Sequence, residues 1–352
     1  MKLATMVLTL LVHGMLSSGY GLSLDDALQS AQEQPAVVTA EEAVIAAQSD
    51  LARVNADPYA LTREVFQAEQ RLALSQAQAR QALYNAVNDV GSAYSAVLLA
   101  ELEEQLAVTN EGLNQLYTET TRARELNGEA TALEVRDAEA TLGTAVANRW
   151  SAAETVAVRR SALRRLLSAE VAGKRLEPIP NARLEQPLPS VLELIISANA
   201  SADLVYVRQA VALARLDVDL SDPRYSAART IETATTQLAQ AETTLATATR
   251  SRHEQLHLLY SQAEAARRLH RTQEVTSAVA QERLVSQHDR FLRGATSETE
   301  LQQARYAAIA AQLEQRRAKH NLFTSLLSLQ AAAATNLLVF TEPAGREGML
   351  ND

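Results

Sequence analysis

Apolar residues recur along this chain at spacings of three and four, the seam of a coiled coil rather than the two-residue alternation of a half-buried strand. One run is Val135, Ala138, Leu142, Ala145, Arg149, Ala152, Val156, Arg159 and Leu163, in which only the two arginines interrupt the apolar character. A second run, Leu301, Ala304, Ala308, Ala311, Gln315, Ala318, Leu322, Ser325 and Leu329, repeats it at a shift of 166 residues. The same shift sets Tyr59 on Tyr225, Val65 on Ile231, Leu72 on Leu238, Tyr94 on Tyr260 and Gly128 on Gly294. Agreement over that length identifies an internal duplication.

Proline removes a helical N–H and clashes with the preceding turn, so prolines mark where helices end. The eight prolines stand at Pro35, Pro58, Pro178, Pro180, Pro187, Pro189, Pro223 and Pro343, leaving two long uninterrupted stretches. Each half therefore predicts the same series. An opening helix spans 23–34 or 191–201, with Ser23 and Asp26 in capping-box positions. A second helix spans 36–56 or 203–220, and a long helix spans 60–126 or 226–292. A return helix follows at 132–168 or 298–336. At 1.5 Å per residue the long helix is roughly 100 Å. Gly128-Glu129-Ala130-Thr131 and Gly294-Ala295-Thr296-Ser297 reverse the chain, each glycine suiting a left-handed helix stop and Thr131 or Ser297 an N-cap. Second and return helices together cover most of the long one, so each half reads as a double-stranded rod. The expected fold is all-α: a first repeat over 22–168, a proline-rich linker over 169–190, a second repeat over 191–336 and a tail over 337–352.

Composition adds the compartment. Lys2 precedes the apolar run Leu3 to Val12, and the small residues Gly19 and Gly21 follow, which is the plan of a secretory signal over 1–21. That run is too short to span a bilayer, and no later segment is long and apolar enough. Aromatics are 4% and cysteine is absent, so helix packing must hold an exported fold without disulfides. A formal net charge of −9 argues against nucleic acid and anionic membrane surfaces as partners.

The turn sequences carry a resemblance. Arg122 to Thr131, followed by Leu133-Glu134-Val135, is similar to the coiled-coil tip of the TolC family of outer-membrane efflux and secretion channels. Phe291 to Ser297, with Glu300-Leu301, is a weaker second copy. Val90-Gly91-Ser92-Ala93-Tyr94, Leu98-Leu99-Ala100 and the opening Leu22 to Leu28 also resemble that family, so the likeness covers nearly all of the chain after the signal. It implies a homotrimer closing into a hollow α-helical barrel. It also implies a periplasmic adaptor docked at the tips Gly128, Glu129, Ala130, Thr131, Gly294, Ala295, Thr296 and Ser297, and an inner-membrane pump behind that adaptor. The implied location is the periplasm or the outer-membrane-associated envelope. One departure is sharp. The family's membrane strands belong between the second and long helices, where this chain has only Asn55 to Tyr59 and Ser221 to Tyr225. A membrane hairpin needs roughly twenty residues. The resemblance thus implies the trunk and tips without the β-barrel; if the chain works at the outer membrane, a separate outer-membrane barrel partner is expected at the Pro58 and Pro223 end.

Several motifs bear on other functions. His253-Glu254-Gln255-Leu256-His257 matches H-E-x-x-H, which in zinc hydrolases sets two imidazoles on one helix face with the glutamate as base. Its equivalent in the first repeat, Val87 to Gly91, has no such chemistry, and only Glu264 and Glu274 offer a distant third ligand. Arg149, Arg159 and Gln315 either line a lumen or fix register. Arg267, Arg268, His270 and Arg271 read as a solvated charge run, and Trp150 as packed between rods. No phosphate loop or catalytic triad is present, so neither an enzyme nor a cofactor is expected. The sequence reads first as a helical conduit component, then as a periplasmic spacer that moves no substrate, and last as a zinc hydrolase.

Overall fold

The computed structural model describes residues 21–168, 174–221 and 224–337. The signal through Tyr20, five linker residues at 169–173, Asp222, Pro223 and the tail from 338 onward lie outside the described residues.

The chain begins with a two-residue strand, β1 (Gly21–Leu22), and a short helix, α1 (Leu24–Gln29). A single 3-10 turn at Ser30–Glu33 leads into α2 (Pro35–Ala56), the long α3 (Thr62–Leu126) and the return helix α4 (Ala132–Arg164). The linker contributes β2 (Arg175–Leu176), parallel to β1, and one helical turn, α5 (Asn181–Leu184). The second half is α6 (Val191–Ala198), α7 (Ala202–Asp219), the long α8 (Ala228–Leu292) and the return helix α9 (Glu298–Ala333). Both long helices have 65 residues, roughly 100 Å each. No helix among the described residues is long and apolar enough to cross a membrane.

Element ends differ from expectation where side chains cap or turns tighten. The carboxylate of Asp57 accepts from the Tyr59 amide at 2.9 Å, and Glu64 accepts from the Leu61 amide at 3.0 Å, so a tight turn uses residues 57–61 and α3 starts at Thr62. The opening segment leaves α geometry at Ser30. Helix α4 stops at Arg164, because both Leu166 and Leu167 direct their amides to the Leu163 carbonyl. Helix α9 stops at Ala333, where Ala334 turns left-handed at φ 49°.

Ion pairs between rods fix their direction. Glu101–Arg160 at 2.8 Å, Glu111–Arg149 at 2.5 Å and Arg122–Glu139 at 2.7 Å lock α3 antiparallel to α4. Arg71–Asp50 at 2.7 Å joins α3 to α2, and Arg215–Glu242 at 3.2 Å joins α7 to α8. Helix α3 is also the seam between halves. It meets α9 through Glu103–Arg317 at 3.0 Å, and α7 through Arg63–Asp217 at 2.8 Å. Such exposed pairs add little stability each, yet they select one register among the slides a repetitive apolar seam permits.

The packed centre lies midway along α3. Val90, Tyr94, Val97, Leu256, Leu322, Phe323 and Leu327 are buried there together with Leu22, Leu24 and Leu28 from the chain start. Toward the tips the seam thins to small residues such as Thr118, Thr121, Ala138 and Ala145. Tyr94 ties this centre together. Its ring is fully buried, and its hydroxyl touches the Leu22 carbonyl at 2.8 Å, the Glu177 carbonyl at 2.6 Å and the Glu177 amide at 3.0 Å. Burial drives the phenol well above its ordinary pKa, so it stays a donor. The β1–β2 pair is thus a strap pinned to α3. Tyr94→Phe keeps the ring and deletes the pin: the Leu22 carbonyl retains the Glu177 amide at 3.0 Å, while the part-buried Glu177 carbonyl loses its tyrosine donor. We expect a loss of about 1–3 kcal/mol in denaturant unfolding; a change within error would mean that the strap holds itself.

The linker's second half is fastened to the other repeat. Asn181 donates to Glu274 at 2.8 Å, and Lys319 reaches both the Ile179 carbonyl and the Asn181 side chain. Arg267 donates to the Gln186 carbonyl at 2.6 Å, and His270 lies 3.4 Å from Glu274. Burial lowers the His270 pKa and pulls Lys319 down to about 8. This corrects the reading of a solvated charge run for two of its four members: Arg267 and His270 are 8% and 2% exposed, because the linker crosses that face of α8, while Arg268 and Arg271 are exposed as that reading expected.

Candidate functional site

Both hairpin tips are built alike. At the first, Gly128 takes φ 75°, which a Cβ would disfavour, although the space around it is open. Its amide donates to the Glu125 carbonyl at 2.9 Å and the next amide, of Glu129, to the Arg124 carbonyl at 2.8 Å, closing the end of α3. Thr131 opens α4 as a capping box. Its side chain accepts from the Glu134 amide at 3.3 Å, and Glu134 accepts from the Thr131 amide at 2.6 Å. At the second tip Gly294 takes φ 69°, with Gly294 and Ala295 amides on the Phe291 and Arg290 carbonyls at 2.9 and 2.8 Å. Ser297 caps α9, Glu300 answering at 2.8 Å to its amide and bonding the Thr296 hydroxyl. Those hydroxyl and amide donors hold Glu300 down at about 2, and the Thr131 donors lower Glu134 likewise. Both carboxylates are therefore charged and committed to the turn.

The eight tip residues lie on two turns at one end of the molecule, since α3 and α8 both run antiparallel to α9. Sequence reasoning missed the apolar component. Leu126 is 88% exposed and Leu292 69%, each two residues before its glycine, and Leu133 is 66% exposed on the first tip alone. Leu126 and Leu292 are equivalent under the 166-residue shift, and that was the signal available. A leucine left in water at a helix end stabilises nothing in the chain itself, but it offers a partner apolar area.

Other expected residues sort differently. His253 is half-buried and His257 exposed on α8, one turn apart. Glu264 is engaged by Arg267 at 3.4 Å and Glu274 by Asn181, and no three metal-ligating side chains gather among the described residues. Arg149 serves register through Glu111, whereas Arg159 is exposed. Within the chain Trp150 does not pack between rods: it is 62% exposed on α4, with the Arg149 guanidinium 5.0 Å from its ring centre. The heptad seam faces α3 through Val135, Ala138, Ala145 and Val156, and Trp150 falls off that stripe.

No protein-family model matches the sequence, and no curated protein sequence is similar to it. Solved structures do match. CusC, described as forming a transmembrane channel, superposes with a TM-score of 0.66 at 13% identity, over 89% of this chain and 96% of that one. The outer membrane protein VceC of Vibrio cholerae gives 0.61 at 14% identity, over 89% and 96%. The MtrE outer membrane channel of Neisseria gonorrhoeae gives 0.61 at 14% identity, over 89% of each. At these identities the likeness concerns the fold. Among the described residues the only strands are the two of the strap, so what is shared is the trunk of long antiparallel helices. The chain has the helical fold of the TolC-family outer-membrane channels.

Proposed function

We propose that this protein is the helical conduit part of an efflux or type I secretion assembly in the cell envelope, and that it docks a periplasmic adaptor through its two tips. The observation that carries this is the pair of like-built turns at one end, each presenting an exposed leucine, Leu126 or Leu292, beside a rigid capped glycine. Residues Gly128 to Thr131 and Gly294 to Ser297 give the adaptor its backbone frame.

Closure into a homotrimer is supported by the outer rods. Helix α8 exposes Leu258, Leu269, Val275 and Val279 along its length, while α2 exposes Val38 and Ile45, and α4 exposes Trp150 and Val158. Packing α8 of one copy against α2 and α4 of the next would cover both sets. At the opposite end, α2 passes to α3 through a tight turn over 57–61, and a separate outer-membrane barrel is the partner this reading requires there. The inner-membrane pump belongs behind the adaptor. A second reading, a periplasmic spacer that carries no substrate, is favoured by the lack of barrel-length strands among the described residues.

Two measurements decide between them. The mass of the purified assembly in solution should be three times that of the mature chain, and a strain lacking the protein should become sensitive to exported toxic compounds or fail to secrete its cargo. A monomer would remove the conduit; a trimer in a strain with unchanged export would leave the spacer.

A further inference from the structure

Between the strap and the α3–α4 pair lies a cavity of about 220 Å³ that the conduit reading does not use. Leu22, Val97 and Leu163 form its floor, and all three are buried. Its rim is basic. Arg164, Lys174 and Arg175 line it, and all three are exposed. A fourth cation, Arg160, donates to Glu101 at 2.8 Å and is thereby neutralised. None of the other three has a carboxylate within ion-pair distance among the described residues.

This is unusual for the chain's own balance. Acidic residues outnumber basic ones by 42 to 33, and arginines elsewhere on the rods pair with them repeatedly. Like charges gathered around one cavity repel each other, modestly here because all three are exposed to screening solvent. A bound anion relieves it.

The second repeat shows that the fold does not require this arrangement. Under the 166-residue shift Arg160 corresponds to Leu326, Arg164 to Gln330 and Leu163 to Leu329. All three counterparts are buried, and none is charged. There α9 packs against both α3 and α8, so these positions face the central core and carry no charge. In the first repeat the equivalent face of α4 is left open and carries cations.

We propose that this cavity binds a small amphipathic anion, an apolar body seated on Leu22, Val97 and Leu163 with a carboxylate, sulfate or phosphate head held by Arg164, Lys174 and Arg175. An inorganic ion would satisfy the rim but leave the floor uncovered, and a neutral apolar compound would leave the rim unbalanced. Covering the floor supplies apolar burial, and the arginines supply charge-assisted hydrogen bonds in the geometry that suits oxyanions. The site lies within one chain and away from the tips, so it stands whether or not the protein is a conduit.

The test is calorimetric titration of the mature protein with octyl sulfate below its micellar concentration, beside octyltrimethylammonium and inorganic sulfate. Octyl sulfate is expected to bind once per chain, about tenfold or more tighter than either comparison ligand. The charge-reversed variant Arg164→Glu/Arg175→Glu is expected to lose that binding with its circular dichroism unchanged, because both side chains lie at the surface. Equal affinity for the two surfactants, or binding that persists in the variant, would mean general adsorption to apolar surface and would overturn the proposal. If the variant misfolds, the comparison of surfactants on the unaltered chain still decides. Sedimentation with phosphatidylcholine vesicles, with and without phosphatidylglycerol, then tells a lipid head from a soluble ligand: arginine-dependent capture by the anionic vesicles assigns the site to lipid, and its absence beside tight octyl sulfate binding assigns it to a free anion.

Discussion

Export is expected to stop when Leu126 and Leu292 are both replaced by Glu, while helix content and unfolding behaviour stay at native values. The two side chains are 88% and 69% exposed and contribute almost nothing to the chain's own core. Substitutions at such positions usually change stability by no more than about 0.5 kcal/mol. Seated in an adaptor groove, each leucine would contribute about 1.5–3 kcal/mol through burial, and a charge forced into the same groove would cost more. Losing both should weaken docking by about a hundredfold or more. Bulky replacements at Glu129 or Ala295, which lie within the turns, should act in the same direction by holding the partner away. The measurement is cross-linking of tip to adaptor together with a transport or toxin-sensitivity assay. Intact transport with both tips altered would remove the docking proposal and leave the spacer reading in possession.

The second large effect is expected at the seam between the halves. Phe323 on α9 is 1% exposed and packs into the notch made by Gly91 on α3. A Cβ at Gly91 would stand 3.1 Å from the Phe323 ring and 2.9 Å from Leu327, so glycine there admits the close approach of the two helices. A glycine inside a helix costs about 1 kcal/mol relative to alanine, and the packing of that ring is what offsets it. Phe323→Ala should therefore lose about 3–5 kcal/mol, with the cavity opening where α3 and α9 join the repeats. Gly91→Val should lose about 1–3 kcal/mol by the opposite fault, overpacking. Denaturant titration of both variants checks this. A loss under about 1 kcal/mol for Phe323→Ala would show that the seam is held by the ion pairs instead.

These two predictions rest on unequal shares of sequence and structure. The duplication, the four long helices and the two turns were legible because each depends on local rules. Heptad spacing selects a helix with one buried stripe, proline ends it, and a glycine followed three residues later by Thr131 or Ser297 stops one helix and starts the next. The buried Val135, Ala138, Ala145 and Val156, the positive φ of Gly128 and Gly294, and the capping boxes all follow from residues within a few positions of one another. The shortness of the junction at Asp57-Pro58-Tyr59 was legible for the same reason.

What the sequence did not determine arises where segments far apart in the chain meet. Tyr94 was visible as part of a motif, but its role depends on Leu22 and Glu177 arriving from either side. The charge run at Arg267 and His270 reads as solvated until the linker is laid across it, and Trp150 reads as buried until α4 is rotated onto α3 by the Glu101, Glu111 and Glu139 pairs. The basic cavity likewise needs Arg164 from α4 and Lys174 and Arg175 from the strap to converge over Leu22. Local stereochemistry fixes which residues are helical and where helices stop, because those energies involve neighbours in the chain. Burial, pKa and the grouping of charges depend on which distant surface is laid against each helix, and only the tertiary structure decides that.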